Sequence, residues 1–156
     1  MMRTVDERLV RAPAARMFAL AREVERWPEW LPHYRSVTML APTADPLVVD
    51  MRANRPFGPF NWPTWWVSQM WIDAPRLEVR YRHVRGITTG MDVLWKLEPQ
   101  GADRTHVAII HTWDGPRWPL IRRPAAEWVI GPVFVHGIAS RTLAGLARAA
   151  ESGAGA

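Results

Sequence analysis

The feature that most constrains this fold is a long run of alternating apolar and polar residues between positions 35 and 113. Segments such as APTADP, DAP and PQGAD, which are typical of turns, interrupt the run. Successive side chains of a strand point to opposite faces, so the alternation indicates a sheet with one buried face. It predicts an antiparallel meander of six strands, at 35–40, 46–53, 62–73, 76–85, 90–98 and 104–113.

Two helical regions flank the meander. A first strand at 4–10 precedes a helix that has Pro13 at its first position and is ended by Pro28, and WPEWLP forms a short helical turn before Pro32. Helical spacing returns from about Trp118, and Gly131-Pro132 should kink that long helix. Its apolar stripe comprises Val135, Ile138, Ala139, Thr142 and Leu146. The predicted class is α+β, with a curved sheet of about seven strands wrapped on the C-terminal helix.

The 156 residues predict one domain over 1–150, followed by a disordered tail at 151–156. Because no run of about 18 apolar residues occurs, we expect no stable membrane insertion. The charged start lacks the apolar core of a secretory signal, which favours a cytoplasmic location. Since the chain has no cysteine, disulfides, thiolate catalysis and Cys-ligated metals are excluded.

The net charge of +5 comes almost entirely from arginine, since Lys96 is the only lysine. These arginines are interleaved with acidic residues, as in Arg76, Glu78, Arg80 and Arg82, and this favours a solvated surface over a nucleic-acid-binding patch. The five histidines include no HExxH pattern, and the chain has no GxGxxG, Walker A or GxSxG motif. The sequence therefore predicts neither a metal site nor a cofactor.

The segment NWPTWWVSQMW, residues 61 to 71, holds four of the ten tryptophans. The turn after Asp73 predicts that the strands on either side of it pair in one register: Ile72 with Leu77, Met70 with Val79, Ser68 with Tyr81, and Trp66 with His83. This register puts the mostly apolar set on one face and the mostly polar set on the other. Trp66 therefore points inward, whereas Trp65 and Trp71 point outward.

The inward face combines apolar, aromatic and polar side chains, as small-molecule pockets do. The alternative is that they simply fill the core. The polar members favour a pocket, because they would need hydrogen-bond partners in a solid core. The predicted catalytic residues are His83, His111 and Tyr81. The predicted ligand-binding residues are Trp66, Ser68, Met70, Met91, Val93, Trp95, Trp113 and Ile138.

The outward Trp65 and Trp71 have two interpretations. Arg80 and Arg82 could cover these rings through cation–π contacts, or the rings could form a patch that makes a homodimer.

Three segments, at 12–37, 83–99 and 134–146, resemble the START/Bet v 1-like (SRPBCC) superfamily, in particular bacterial polyketide cyclase/dehydrase proteins. The resemblance implies a helix-grip fold with an internal cavity. It also implies cyclisation and dehydration of a polyketide-like substrate, with Tyr81, His83, Ser68 and His111 as the polar groups available. EVERWPEWLP and WVSQMWID are also similar to the coenzyme Q-binding branch, which implies a non-catalytic carrier of an isoprenoid quinone or lipid. A protein-interaction module that uses Trp65 and Trp71 is the third hypothesis.

Overall fold

The computed structural model describes residues 1–57, 59–115 and 135–153. Its core is one antiparallel sheet of seven strands in the order β1-β7-β6-β5-β4-β3-β2. Strands β2 to β7 form the predicted meander, and β1 returns beside β7. The strands are β1 Met2–Val10, β2 Tyr34–Ala41, β3 Leu47–Phe57, β4 Phe60–Asp73, β5 Glu78–Gly86, β6 Asp92–Pro99 and β7 Thr105–Trp113. The predicted fold class is confirmed.

The first helical region is divided more finely than the sequence predicted. It comprises α1 Ala14–Arg22, a 3-10 turn Val24–Arg26 and α2 Trp27–Trp30. Pro13 is the N-cap of α1 rather than its first residue, and its carbonyl accepts a hydrogen bond from the Met17 N–H. Pro28 does not end a helix. It lies in the first turn of α2, where the missing N–H of proline would have no partner in the helix anyway.

The hairpin between β4 and β5 has a register two residues away from the predicted one. Ile72 pairs with Val79, Met70 with Tyr81, and Ser68 with His83. The connection is longer than expected because Asp73 pairs with Glu78, and Leu77 has a positive φ of 55° in the loop. A shift of two residues keeps every side chain on its predicted face, so the inward set is unchanged.

The C-terminal helix, α3 His136–Glu151, packs on the inner face of the sheet and on α1 and α2. Its buried stripe is the predicted one: Val135, Ile138, Ala139, Thr142 and Leu146. Gly145 allows close approach to the α2 region, since a Cβ placed there would lie 2.3 Å from the Leu31 Cδ2. The predicted helix start near Trp118 and the kink at Gly131-Pro132 lie outside the described residues.

The last residue of α3 lies within the predicted disordered tail, residues 151–156. Glu151 belongs to the helix, and Ser152 donates a hydrogen bond to the Ala149 carbonyl across 2.8 Å. Residues 154–156 lie outside the described part of the chain, and the single domain over 1–150 stays a prediction. None of the described helices has the length and hydropathy of a membrane span.

Both outward tryptophans are exposed to solvent, Trp65 by 44% and Trp71 by 37%. The cation–π cover predicted for them is not formed within the described residues, where guanidinium groups lie over Phe18 and Trp30 instead. Arg80 and Arg82 bond the carboxylates of Glu78 and Asp92, each across 3.3 Å. Both tryptophan rings therefore stay accessible on the outer face.

Candidate ligand-binding cavity

A cavity of about 70 Å³ lies between the inner face of the sheet, the α2 region and α3. The curved sheet and the single long helix do not pack together along their whole length. The cavity is the space that remains between them. The described residues that line the cavity are Trp27, Tyr34, Met51, Trp66, Tyr81, His83, Thr88, Met91, Val93, Trp95, Ile109, His111, Val135, Ile138, Ala139 and Thr142.

The structure brings most of the predicted site residues to this wall. The lining includes all three predicted catalytic residues, His83, His111 and Tyr81, together with Trp66, Met91, Val93, Trp95 and Ile138. Ser68, Met70 and Trp113 are also inward and almost fully buried, but they do not line the cavity. Trp113 instead donates its indole N–H to the Thr89 carbonyl across 3.1 Å.

Several lining residues were missed because strand alternation alone does not reveal them. Trp27 comes from the first turn of α2, and Thr88 comes from the loop between β5 and β6. Tyr34 begins β2, immediately after the prolines of the α2 region, and its neighbour His33 stands edge-on to it at 4.9 Å. The signal that could have found Trp27 and Tyr34 is the cluster of aromatic residues around the two prolines in WPEWLPHY.

The aromatic walls are held by ring contacts rather than by loose packing. Trp66 stacks on His83 with centroids 5.6 Å apart and planes 7° apart. Trp27 meets Tyr34 edge-on at 5.4 Å and Trp95 at 5.6 Å. Such pairs add about 0.5–1.5 kcal/mol each beyond the burial of apolar area. These ring contacts tie together the walls of the cavity on the side of α2 and β4.

Two imidazole rings face the cavity. His83 Nδ1 lies 2.7 Å from the Thr88 hydroxyl, which fixes the ring orientation. Burial, followed by the nearby His111, lowers the pKa of His83 to about 3. Burial lowers the pKa of His111 to about 4. Both rings are therefore neutral near pH 7, and His111 Nδ1 has no hydrogen-bond partner in the described structure.

Two tyrosine hydroxyls complete the polar groups on the wall. Burial raises the pKa of Tyr81 well above its usual value, and Tyr34 nearby raises it further. Burial also raises the pKa of Tyr34, whereas a hydrogen bond to Thr142 lowers it. The Tyr81 hydroxyl is buried and has no partner among the described residues. Both phenols are therefore neutral, and Tyr81 has an unused hydrogen-bonding oxygen beside the cavity.

Thr142 links the cavity to the exterior of the α2 region. Its hydroxyl donates to the Ile138 carbonyl across 2.8 Å, so its oxygen can only accept from other groups. His33 Nε2 lies 3.0 Å from that oxygen and must therefore carry the proton. Burial and the nearby Arg141 lower the pKa of His33 to about 4, so this ring is also neutral near pH 7.

The polar groups on the wall are thus neutral hydroxyls and imidazoles. No Asp, Glu, Lys or Arg occurs among the described lining residues. Such a wall can donate hydrogen bonds to a carbonyl oxygen and accept them from a hydroxyl, while it offers no counter-ion to a charged ligand. Nor does any cluster of three or more metal-binding side chains occur in the described chain.

The sequence of residues 10–132, well over half of the chain, matches the family described as polyketide cyclase/dehydrase and lipid transport. The chain belongs to this family. The START-like, helix-grip architecture of the family agrees with the sheet and closing helix seen here. No curated protein matches the chain in sequence.

Solved structures with the same fold include proteins from three bacterial genera. TTHA0849 from Thermus thermophilus is 19% identical, with a TM-score of 0.78 and coverage of 96% of this chain and 97% of that one. The Zhui aromatase/cyclase from Streptomyces sp. R1128 is 19% identical, with a TM-score of 0.73 and coverage of 97% and 98%. A START superfamily protein from Mycobacterium smegmatis is 19% identical, with a TM-score of 0.70 and coverage of 97% and 96%. At these identities the likeness concerns the fold of this family member.

Proposed function

We propose that this protein binds a small, neutral, hydroxylated aromatic or polyketide-like molecule in the inner cavity. The observation that carries the proposal is the pairing of apolar aromatic walls with polar atoms that have no partner. A buried polar atom without a partner costs about 1–3 kcal/mol, and a ligand hydroxyl or carbonyl that bonds it recovers much of that cost. Tyr81 and His111 offer two such atoms beside the same space.

The absence of charged side chains among the described lining residues restricts the class of ligand that the cavity can bind. An isolated carboxylate or phosphate that enters this space would lose its hydration without gaining a cationic partner among the described lining residues. A phenol or a ketone loses much less and can bond the imidazoles and phenols of the wall. We therefore expect binding of the neutral form of a weak acid, and weak binding of fatty-acid anions.

The experiment is a titration of tryptophan fluorescence with polycyclic phenols and, separately, with isoprenoid quinones. Wild-type protein is compared with the inner-face variants Trp66→Phe and Trp95→Phe and with Trp71→Phe, which changes an exposed ring on the opposite face. The proposal expects saturable quenching by phenols that is reduced in both inner-face variants and kept in Trp71→Phe. Saturation by quinones alone would replace it with the carrier hypothesis, and no saturable response would overturn both.

Cyclisation and dehydration are the second candidate function, supported by family membership and by the two neutral imidazoles in the cavity. In such a reaction a base removes a proton from carbon between two carbonyl groups, and the resulting enolate attacks a second carbonyl carbon to form a C–C bond. The alkoxide is then protonated, and loss of its hydroxyl with an adjacent proton releases water. His83 or His111 would serve as base and acid, while Tyr81 would donate a hydrogen bond to the enolate oxygen.

The pKa values of these histidines set a condition on catalysis. A base with a pKa of about 3 or 4 is weak in the empty cavity. An enolate close by would favour the protonated imidazole and raise its pKa, so basicity should develop only with substrate bound. His83→Asn and His111→Asn should then abolish turnover of a poly-β-ketone mimic while ligand quenching persists. Turnover in both variants equal to that of wild type would exclude the two histidines from catalysis, and no turnover by wild type would assign the protein to binding alone.

A further inference from the structure

A second group of polar atoms lies behind His111, where β1, β7 and the start of α3 meet. Thr4 pairs with His111 across the β1–β7 ladder, and Asp6 occupies the next inward position of β1. Three buried atoms in this group have no hydrogen-bond partner in the described structure: Thr4 Oγ1, Asp6 Oδ2 and His111 Nδ1. Thr4 and Asp6 do not line the cavity, so a bound ligand does not reach them.

The separation of the Cβ atoms of Thr4 and His111 follows from the register of β1 and β7. Directly opposed residues of an antiparallel pair have Cβ atoms about 4.5–5.5 Å apart, and diagonal neighbours are about 7–8 Å apart. A single water molecule joins polar atoms that are about 5–6 Å apart, because each hydrogen bond spans about 2.8 Å. Thr4, which is opposite His111 and two residues from Asp6 on the same strand, is therefore placed to connect the two through bridging water.

The far end of the group reaches solvent. Asp6 is only 6% exposed, and its second carboxylate oxygen, Oδ1, is hydrogen-bonded to His136 Nδ1. The His136 side chain, in contrast, is 62% exposed. The carboxylate thus contacts a solvent-exposed imidazole on one side and faces the partnerless atoms behind the cavity on the other.

We propose that Thr4, Asp6 and His136 form a proton path that connects His111 in the cavity with solvent. His111 accepts a proton at one ring nitrogen and releases a proton from the other. The released proton passes along the Thr4 hydroxyl, with bridging water, to Asp6 Oδ2. The Asp6 carboxyl then gives a proton to His136 Nδ1, and His136 releases the proton of its other ring nitrogen, Nε2, to solvent. Only N–H and O–H bonds form and break, one proton leaves the cavity, and the reverse sequence returns it.

The electrostatic surroundings of Asp6 suit this role. Burial is the largest influence on Asp6 and raises its pKa, although His136 lowers it in part. A carboxyl whose pKa is raised takes up a proton more readily than an ordinary aspartate does. His136 from α3 is hydrogen-bonded to it and His111 lies diagonally across the β1–β7 ladder, whereas Glu7 and His106 are hydrogen-bonded to each other on the outer face.

The proton path rests on the proposed function for its use, since cyclisation and dehydration remove protons from the substrate in the cavity and return them. Thr4, Asp6 and His136 act through His111 and are proton-transfer residues, not catalytic ones. The test needs no ligand. A failure of the path is therefore visible separately from a failure of ligand binding.

The experiment measures by ¹⁵N NMR how fast the ring N–H of His111 exchanges with water. Asp6→Asn keeps the shape of the side chain but cannot accept and release a proton, and His136→Gln removes the solvent-exposed end. Both variants should slow the exchange by about tenfold or more, which corresponds to about 1.4 kcal/mol in the barrier. Glu7→Gln, on the same strand but on the outer face, is the matched control and should leave the rate unchanged.

The sign of the change separates proton transfer from structural damage. A loosened fold would open the site to water and speed the exchange, whereas a broken path slows it. If Asp6→Asn does not fold, His136→Gln decides the question alone, because its side chain is mostly exposed. An unchanged or faster rate in the folded variants would overturn the proposal.

Discussion

At the scale of single residues, the two tyrosines of the cavity should respond in opposite ways to loss of their hydroxyls. The Tyr81 hydroxyl is buried without a partner, whereas the Tyr34 hydroxyl is hydrogen-bonded to Thr142. Removing an unpaired buried polar atom is neutral or stabilising, but removing one partner of a buried pair costs about 1 kcal/mol or more. Tyr81→Phe should therefore keep or raise the free energy of unfolding, and Tyr34→Phe should lower it, as measured by urea denaturation.

The same pair of variants also tests the binding proposal. If Tyr81 bonds the ligand, Tyr81→Phe should weaken phenol binding by roughly fivefold, since a hydrogen bond contributes about 1 kcal/mol. A Tyr81→Phe protein that is both less stable and equally tight in binding would show that its hydroxyl already has a partner within the fold.

The buried histidines predict how stability depends on pH. Their pKa values fall from 6.5 to about 3 in His83 and about 4 in His111. Below pH 6.5 the unfolded chain therefore binds protons that the folded protein does not, so stability is lost as the pH falls from about 6.5 towards 4. The raised pKa of Asp6 acts in the opposite direction near its own titration range.

His111→Asn isolates the contribution of His111 to this pH dependence. The variant removes the titrating group and should reduce the slope of unfolding free energy against pH between 6.5 and 4. Wild type should lose up to about 3 kcal/mol more than the variant over this window. Parallel curves for the two proteins in urea denaturation would mean that the ring takes up its proton as readily in the fold as in the unfolded chain.

At the scale of elements, the close approach of β5 to β4 at Trp65 and Trp66 requires a glycine at position 86. This residue has a φ of 101°, and a Cβ placed there would lie 2.7 Å from the Trp65 carbonyl oxygen. Gly86→Ala should therefore cost about 1–3 kcal/mol or more and should shift Trp66, the cross-strand partner of Gly86. Gly90→Ala is the control, because its φ is also positive, at 90°, but nothing lies within 4 Å of the added Cβ.

Urea denaturation and near-ultraviolet circular dichroism measure the two parts of this prediction. Gly90→Ala should show only the conformational cost, while Gly86→Ala should add the clash and alter the signal of the tryptophans. Equal losses of stability in the two variants would mean that the strand relaxes around the Gly86 Cβ without strain.

The sequence predicted the sheet face of each side chain better than it predicted the pairing register of the strands. The hairpin between β4 and β5 shows why. Alternation of side chains decides the face, and a two-residue shift leaves that decision intact. The register depends on the loop, where Leu77 adopts a positive φ that its side chain gives no reason to expect. Trp27 and Thr88 were missed for a related reason, because residues in short turns reach the cavity only through the tertiary fold.

At the scale of the whole molecule, the size of the cavity predicts slow ligand entry. An engineered dry cavity that binds benzene has a volume of about 150 Å³, whereas this cavity has about 70 Å³. An aromatic ligand can therefore enter only if the walls move, and a conformational step of this kind limits the rate of association. In stopped-flow fluorescence the observed rate should level off as the phenol concentration rises.

Two valine-to-alanine changes test whether the walls set this limit. Val93 lines the cavity, whereas Val107 is fully buried on β7 away from it. Both variants lose the same two methyl groups and should be destabilised by about 1–3 kcal/mol. Only Val93→Ala enlarges the cavity, so only this variant should raise the limiting rate and strengthen binding of larger phenols. An equal acceleration in both variants would attribute ligand entry to global loosening of the fold, and a rate that rises linearly in wild type would mean that the cavity is already open.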